Sequence, residues 1–595
     1  MTAVITEARP DDKSEPPQHF KHANVIAAAQ DYGDDGSCWA PAFEADLRDA
    51  AEVADAVVVS SDSGSAIVLI GALGLAPGDQ VSMDPQAPIW LRAACSLSQL
   101  HVTSHDDINL ATKAVFCFPG REPDMVSAHD CTLVAILSSF APDDWSTQMA
   151  GFTVGMVPLN ESEPLSVGEG GVLLLQDRAL AVEARDYAQF GRLDGIRLGV
   201  NQKLSPVQCA LGRQRLYQLM GHHYAPNIKR SKQTDLTAFK IPDRFDPTSP
   251  ADMTLLHRAL DGDLSGGSPL IPQYEAALAH WFTANWAVAT SSGYSAVLLA
   301  LAALDLKPGD EVLLAPTCPL CTVFALTTLG LIPVFCDTRQ NRFSIDIEFA
   351  KSVLSAKTRA IIEVPMWGYP VDAKATASFA KHFGLTFVLD LALGHGIEVE
   401  DSHIWHHADI ATFSTHASKV LVTGEGGFVL TNSAFFAEKL RTVRYPANGS
   451  PGLNYRLGAL QAALGLARLP NLHSHIVQRR ANMQFIADNL DHPDLMPFPI
   501  MPDEKAGGVK MLVVHRKNDG RALNTHLARH GIPSDILTYR CRPLYEFPVL
   551  SHREADCTNA QRTLASVATL PVHPDITSQQ LDHMVHTLNS LPQGD

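Results

Sequence analysis

The chain has 595 residues, of which 46% are hydrophobic and 18% charged, and its net charge is -18. At roughly 150 residues per domain this length predicts three or four domains with large buried cores. The acidic balance excludes a polyanion such as nucleic acid as partner, since the basic groups that neutralise phosphates are in deficit.

Taken in chain order, the first segment, MTAVITEARPDDKSEPPQHF, is polar, acidic and proline-bearing. It lacks a basic stretch leading into an apolar core and so does not read as a secretory signal; residues 1–30 are expected to form a polar tail. The longest uncharged apolar run, Thr322 to Cys336, is interrupted by Gly330 and Pro333 and reads as helix, turn and strand rather than a membrane span. Ten cysteines spread over this length make no disulfide framework. These features predict a soluble, cytoplasmic protein with no membrane partner.

Four pairs of segments recur in the same order, which predicts an internal duplication. CWAPAFEADL (38–47) matches SPLIPQYEAAL (268–278), and SGSAIVLIGALGLAPGDQV (63–81) matches SGYSAVLLALAALDLKPGDEV (292–312). NESEPLSVGEGGVLLL (160–175) matches the stretch ending in GEGGFVL (424–430), and GVNQKLSPVQCALGRQRL (199–216) matches GLNYRLGALQAALGLARL (452–469). Between them, AVATSS, EVLLAP, IPVFCD, RAIIEVPM and LTFVLDLA read as buried strands, with helical patterns such as DAKATASFAKHFG alternating. That alternation predicts a three-layer α/β/α unit with a mostly parallel sheet in each copy. The expected division is a first unit over 31–222, a linker over 223–262, a second unit over 263–470 and a small C-terminal α+β domain over 471–595.

Three features of the second copy belong together. TSSGYSA (290–296) is a Ser/Gly turn opening a helix, which serves either as a helix cap or as an anion site with Ser291 and Ser292 adding donors. Asp390 ends the apolar strand FVLDLA, where parallel sheets bind ligands. Lys419 follows a strand and precedes the GEGG turn. An amine, a buried carboxylate and a phosphate site together suggest pyridoxal 5'-phosphate, covalently held by the lysine and paired through its ring nitrogen with the carboxylate.

From about Asp263 onward the chain resembles the DegT/StrS family of PLP-dependent aminotransferases of fold type I. The resemblance lies in SSGYSA, KPGDEVLLAP, VLDLALGHG, DIATFSTHASKVLVTGEGGFV and GLNYRLGALQAALG. It implies that Lys419 carries the cofactor, that Asp390 pairs with the pyridinium, and that Ser291, Ser292 and Ser414 hold phosphate while Gly293 lets the backbone approach it. It also implies transfer of an amino group from an amino-acid donor to a keto-sugar, cyclitol or similar ketone. The spacing of 29 residues between Asp390 and Lys419 suits the family.

Two departures stand out. Leu393 occupies the place of a glutamine or histidine beside the cofactor, and PTCPLCTVFAL (316–326) offers no stacking aromatic before Phe324. Cys318 and Cys321 form a CxxC there, read either as a redox or metal pair or as small thiols filling the aromatic's space. Both departures leave open another PLP reaction, such as elimination, replacement or condensation, or a non-catalytic scaffold. In the first copy Glu163 stands at the lysine position and no acid follows the corresponding strand before Asp143. The resemblance implies that Asn201, with Lys203, reaches across a family-like interface to complete the Lys419 site, while Asn454 faces a silent one. The chain would then be an intrachain pseudo-dimer, open to further self-association. Arg540, Arg542 and Tyr545 are candidates for approaching an anionic group.

Overall fold

The computed structural model describes residues 39–123, 131–139, 142–221, 241–245, 247–445, 453–553 and 555–592, together with Val25 and Ala28. The rest of the polar tail and residues 223–240 of the expected linker lie outside the described residues.

Each long unit folds around a seven-stranded sheet. The first contains β1 (Asp55–Val59), β2 (Gln80–Met83), β3 (His101–Thr103), β4 (Thr112–Cys117), β5 (Thr132–Ile136), β6 (Val154–Pro158) and β7 (Gly171–Leu175). The second contains β8 (Trp286–Thr290), β9 (Glu311–Leu314), β10 (Ile332–Phe335), β11 (Thr358–Glu363), β12 (Thr386–Asp390), β13 (Ile410–Ser414) and β14 (Gly427–Thr431). The spatial orders are β3-β2-β4-β5-β6-β7-β1 and β10-β9-β11-β12-β13-β14-β8, so the two sheets share one topology. In both, the seventh strand alone runs antiparallel to its neighbours. The strands are apolar on both faces because helices cover both sides of the sheet, and Val388, Leu389, Val429 and Leu430 are fully buried.

Pairing registers match as well. Val388, Leu389 and Asp390 lie opposite Ile410, Ala411 and Thr412, as Val134, Ala135 and Ile136 lie opposite Val154, Gly155 and Met156. Each half packs an aromatic ring against a helix glycine: Phe43 on Gly212, and Tyr274 on Gly465. A single apolar core runs through both sheets, from Val25 to Val567.

The segment ending the expected linker is instead a helix, Pro250–Leu260. Its Asp252 is buried in an ion pair with Arg468 of the helix Ala459–Arg468, at 2.6 Å. A polar stretch conceals a helix here because its one buried carboxylate is satisfied by a tertiary partner far along the chain. After the helix Leu472–Asp488 a small antiparallel sheet forms from β15 (Leu495–Pro497), β16 (Lys510–His515) and β17 (Val567–Pro571). No helix among the described residues is long and apolar enough to cross a membrane.

Candidate active site

The C-terminal ends of β8, β12 and β13 converge, because β14 lies between β8 and β13 and pairs with both. Gly427 faces Thr290 on one side and Ser414 on the other. The turn after β8 caps the helix Gly293–Ala302: Ser292 Oγ accepts from the Ser295 amide, leaving Gly293 and Tyr294 as the leading amides that a helix cannot satisfy internally. Ser291 Oγ and Ser292 Oγ lie 2.9 and 2.8 Å from Ser295 Oγ. A side chain at Gly293 would bring its Cβ to 2.5 Å from Ser414 Cβ, so only glycine lets this turn touch the end of β13. Gly293→Ala should therefore push the two apart and raise the cofactor's dissociation constant about tenfold or more, measured by equilibrium dialysis.

Asp390 ends β12 and is only 3% exposed. Its Oδ2 accepts from Thr322 Oγ1 at 2.7 Å and its Oδ1 from the Ala392 amide at 3.1 Å. Burial raises its pKa, while Thr322, Ala392 and the Lys419 charge pull it back. Such a carboxylate gains from a cation placed beside it. Lys419 lies in the loop after β13, partly covered, and its amide donates to the His416 carbonyl at 2.9 Å. Burial lowers its pKa, opposed by Cys321, Asp390, Asp535 and Glu425. An amine with a depressed pKa is closer to the neutral, nucleophilic form at ordinary pH.

The aromatic stack is absent. Phe324 is fully buried and turned toward Phe190 of the first half, 6.3 Å between centroids. Cys321 stands near Lys419 and Asp390 instead, its thiol pushed up to about 11 by burial, and Cys318 is buried beside it. Thiols raised this far are poor thiolates, which favours the space-filling reading of the CxxC pair. No group of three metal-ligating side chains occurs among the described residues. Arg540 is exposed, and Arg542 lies 4.2 Å from the centre of the Phe547 ring.

Asn201 comes from the first half and arrives at this site. Its Nδ2 donates to Glu425 Oε2 at 3.3 Å, and Lys203 Nζ pairs with Glu425 Oε1 at 2.6 Å. His416 Nε2 lies 3.5 Å from the same oxygen. The other half answers in kind: Asn454 Nδ2 donates to Glu169 Oε2 at 2.5 Å, and Arg456 pairs with Glu169 Oε1 at 2.7 Å. Gln461 Nε2 and Gln208 Oε1 meet between them at 2.6 Å. Glu425, Thr322 and His416 escaped the reading of the sequence. Glu425 was signalled by its recurrence as Glu169 in the repeated GEGG, whereas Thr322 had no signal.

In the first half, strand ends put Ile136 where Asp390 stands and Pro158 where Ser414 stands. Glu163 takes the lysine position, bound to Ser138 and Ser139. One expected correspondence needs correction. Ser63-Gly64 does not stand opposite Ser292-Gly293; Ser61 is the residue capping the first helix, as Ser292 caps the second. Capping fixes the register at the end of the strand, so Asp62 takes the place of Gly293.

The second half thus offers helix amides and hydroxyls for a phosphate, a buried carboxylate for a cationic ring, and an amine for an aldehyde, a donor set that fits pyridoxal phosphate. The family model described as "DegT/DnrJ/EryC1/StrS aminotransferase family" matches residues 153–225 and 250–589. The spore coat polysaccharide biosynthesis protein SpsC of Bacillus subtilis is 28% identical over 367 residues, covering 56% of this chain and 92% of that protein. A UDP-N-acetyl-3-dehydro-alpha-D-glucosamine 3-aminotransferase of Acidithiobacillus ferrooxidans is 29% identical, over 52% of this chain and 84% of its own. Among solved structures, S. venezuelae DesV is similar at 26% identity and a TM-score of 0.54, covering 58% of this chain and 95% of that one. The chain belongs to the DegT/DnrJ/EryC1/StrS aminotransferase family, as an enzyme whose cofactor is pyridoxal 5'-phosphate.

Proposed function

We propose that this enzyme moves an amino group from an amino-acid donor, glutamate or glutamine, to a keto-sugar, cyclitol or similar ketone in a biosynthetic pathway. We further propose that the two halves arose by duplication and pair as the subunits of a family dimer would, with one working site. The names of the relatives support the sugar acceptor. The observation that carries the pairing is the reciprocal exchange in which Asn201 and Lys203 hold Glu425 while Asn454 and Arg456 hold Glu169.

Pyridoxal phosphate, when bound, supplies a ring that takes up the electrons of a broken C–H bond. In this reading Lys419 Nζ anchors the cofactor and then moves the proton released from the substrate carbon, a task suited to an amine whose pKa burial has lowered. Asp390 stays ionised opposite the ring nitrogen, fixed by Thr322. Ser291, Ser292, Gly293 and Ser414 form the phosphate cup. Asn201 and Lys203 close the site from the first half by fixing Glu425 next to the lysine loop.

Two measurements test this. L-glutamate should convert the visible absorption band of the purified protein to that of the amine form of the cofactor. A band that glutamate leaves unchanged would favour a different PLP reaction, the alternative to which Leu393 and the missing stack point. Asn201→Ala should raise the cofactor dissociation constant about tenfold, while Asn454→Ala changes it less than about twofold. Equal effects would overturn the single-site arrangement.

A further inference from the structure

The silent half keeps the architecture of an anion cup. Ser60 and Ser61 follow β1 as Ser291 and Ser292 follow β8, and Ser60 donates its amide to the Gln202 carbonyl as Ser291 does to the Tyr455 carbonyl. A helix, Asp62–Ala72, opens there with Ser61 as its cap, as Gly293–Ala302 opens with Ser292. Asn454 and Arg456 reach it from the other half.

What differs is the residue at the mouth. Gly293 is replaced by Asp62, whose side chain is almost wholly buried at 7% exposure. Its Oδ1 accepts from the Ser63 amide at 2.7 Å, and that amide corresponds to the open Tyr294 amide of the working cup. The same oxygen lies 3.5 Å from Asn454 Nδ2, and Oδ2 lies 3.4 Å from Asn160 Nδ2. Ser63 Oγ accepts from the Asn454 backbone amide at 2.7 Å, which ties the segment before the helix Ala459–Arg468 to this mouth. Burial raises the pKa of Asp62, while the Ser63 amide, Asn160, Asn454 and the Arg456 guanidinium pull it back, and the second carboxylate of this mouth, Glu169, is held by Asn454 and Arg456.

We propose that Asp62 is a built-in anion that plugs the phosphate cup of the silent half, standing where a phosphate monoester would bind. It keeps the cup in its filled shape with no ligand and denies it to a second cofactor. The chain then holds one cofactor and is closed to free phosphate on its silent side. This inference rests on the phosphate cup proposed above for the second half, but neither on the reaction nor on the single working site, so it can fail while transamination stands.

The test uses the holoenzyme, in which the working cup is filled by the cofactor. Inorganic phosphate is titrated at constant ionic strength and followed by 31P NMR line broadening and calorimetry, for the unaltered protein, Asp62→Gly and Asp62→Asn. Asp62→Gly, which restores the residue of the working cup, should take up one equivalent of phosphate at least tenfold more tightly than the unaltered protein. Should that variant fail to fold, Asp62→Asn keeps the side chain's volume and removes its charge; phosphate should then raise its melting temperature and leave that of the unaltered protein unmoved. A folded Asp62→Gly variant with no phosphate uptake, or an Asp62→Asn variant whose melting ignores phosphate, overturns the proposal. So does phosphate binding of equal strength in the unaltered holoenzyme. If Asn201→Ala and Asn454→Ala prove equivalent for cofactor retention while Asp62→Gly still gains phosphate, the paired single-site reading fails and the plug survives.

Discussion

Replacing Lys419 with alanine should remove the visible absorption band of the purified protein and lower the half-reaction with L-glutamate by about 10³-fold or more, the range lost with a positioned proton-transfer group that is also the covalent anchor. The loss should exceed the change in cofactor affinity, because the proposed phosphate cup of Ser291, Ser292, Gly293 and Ser414 is left in place. Asp390 should respond too. It is buried, and the Lys419 charge is one of the influences holding its pKa down, so the variant's carboxylate should protonate at higher pH than the original's. Absorbance of the reconstituted variant from pH 5 to 9, beside single-turnover rates, checks both parts. A variant that keeps the band would show that another amine carries the cofactor.

Replacing Arg468 with methionine should destabilise the protein by about 3–5 kcal/mol, because it leaves the Asp252 carboxylate buried without its cation. Arg468 and Asp252 are 1% and 2% exposed, joined through Nε at 3.0 Å and Nη2 at 2.6 Å. Arg468 Nη1 also donates to the Val422 carbonyl at 2.9 Å, in the loop between Lys419 and the GEGG turn. The same change should therefore loosen that loop and weaken cofactor retention, which a purely global destabilisation would not do well below the melting temperature. The double variant Asp252→Leu with Arg468→Met should recover most of the stability, since an apolar pair in place of a buried ion pair is often neutral. Recovery would not extend to cofactor retention, because the Val422 carbonyl stays without its donor. Urea midpoints and dialysis of the three proteins separate these outcomes.

Much of this was legible in the order of residues. Strands such as LTFVLD and IATFS are apolar on both faces, which is the mark of a sheet covered on both sides, and they fall where expected as β12 and β13. The helix over DAKATASFAKHFG runs Ala373–Phe383, capped by Asp372 and ended by Gly384 in the left-handed conformation. Lys419, Asp390 and the serines were legible because each sits at the end of a strand or in a turn, where local pattern and chemistry coincide.

Other features were not legible, for one recurring reason. Thr322 on Asp390 joins residues 68 apart, and Asn454 on Glu169 joins residues 285 apart. Nothing in a local window distinguishes such a threonine or asparagine from one facing solvent. The helix Pro250–Leu260 was hidden in a polar stretch because its buried acid is neutralised by Arg468, 216 residues away. The place of Asp62 depended on which serine caps a helix, and SSDSGS contains several that could.

The sequence by itself determined the two α/β units, the candidate lysine and carboxylate of the second, and the absence of such a lysine from the first half, because periodicity, strand ends and residue chemistry are local properties. Only the tertiary structure decided how the halves use each other. Asn201 and Lys203 fix Glu425 in one half, and Asn454 meets Glu169 and Asp62 in the other. Those contacts form because two sheets of one topology pack with their helices Pro206–Leu219 and Ala459–Arg468 in contact, and packing is a property of surfaces that come together only when the whole chain has folded.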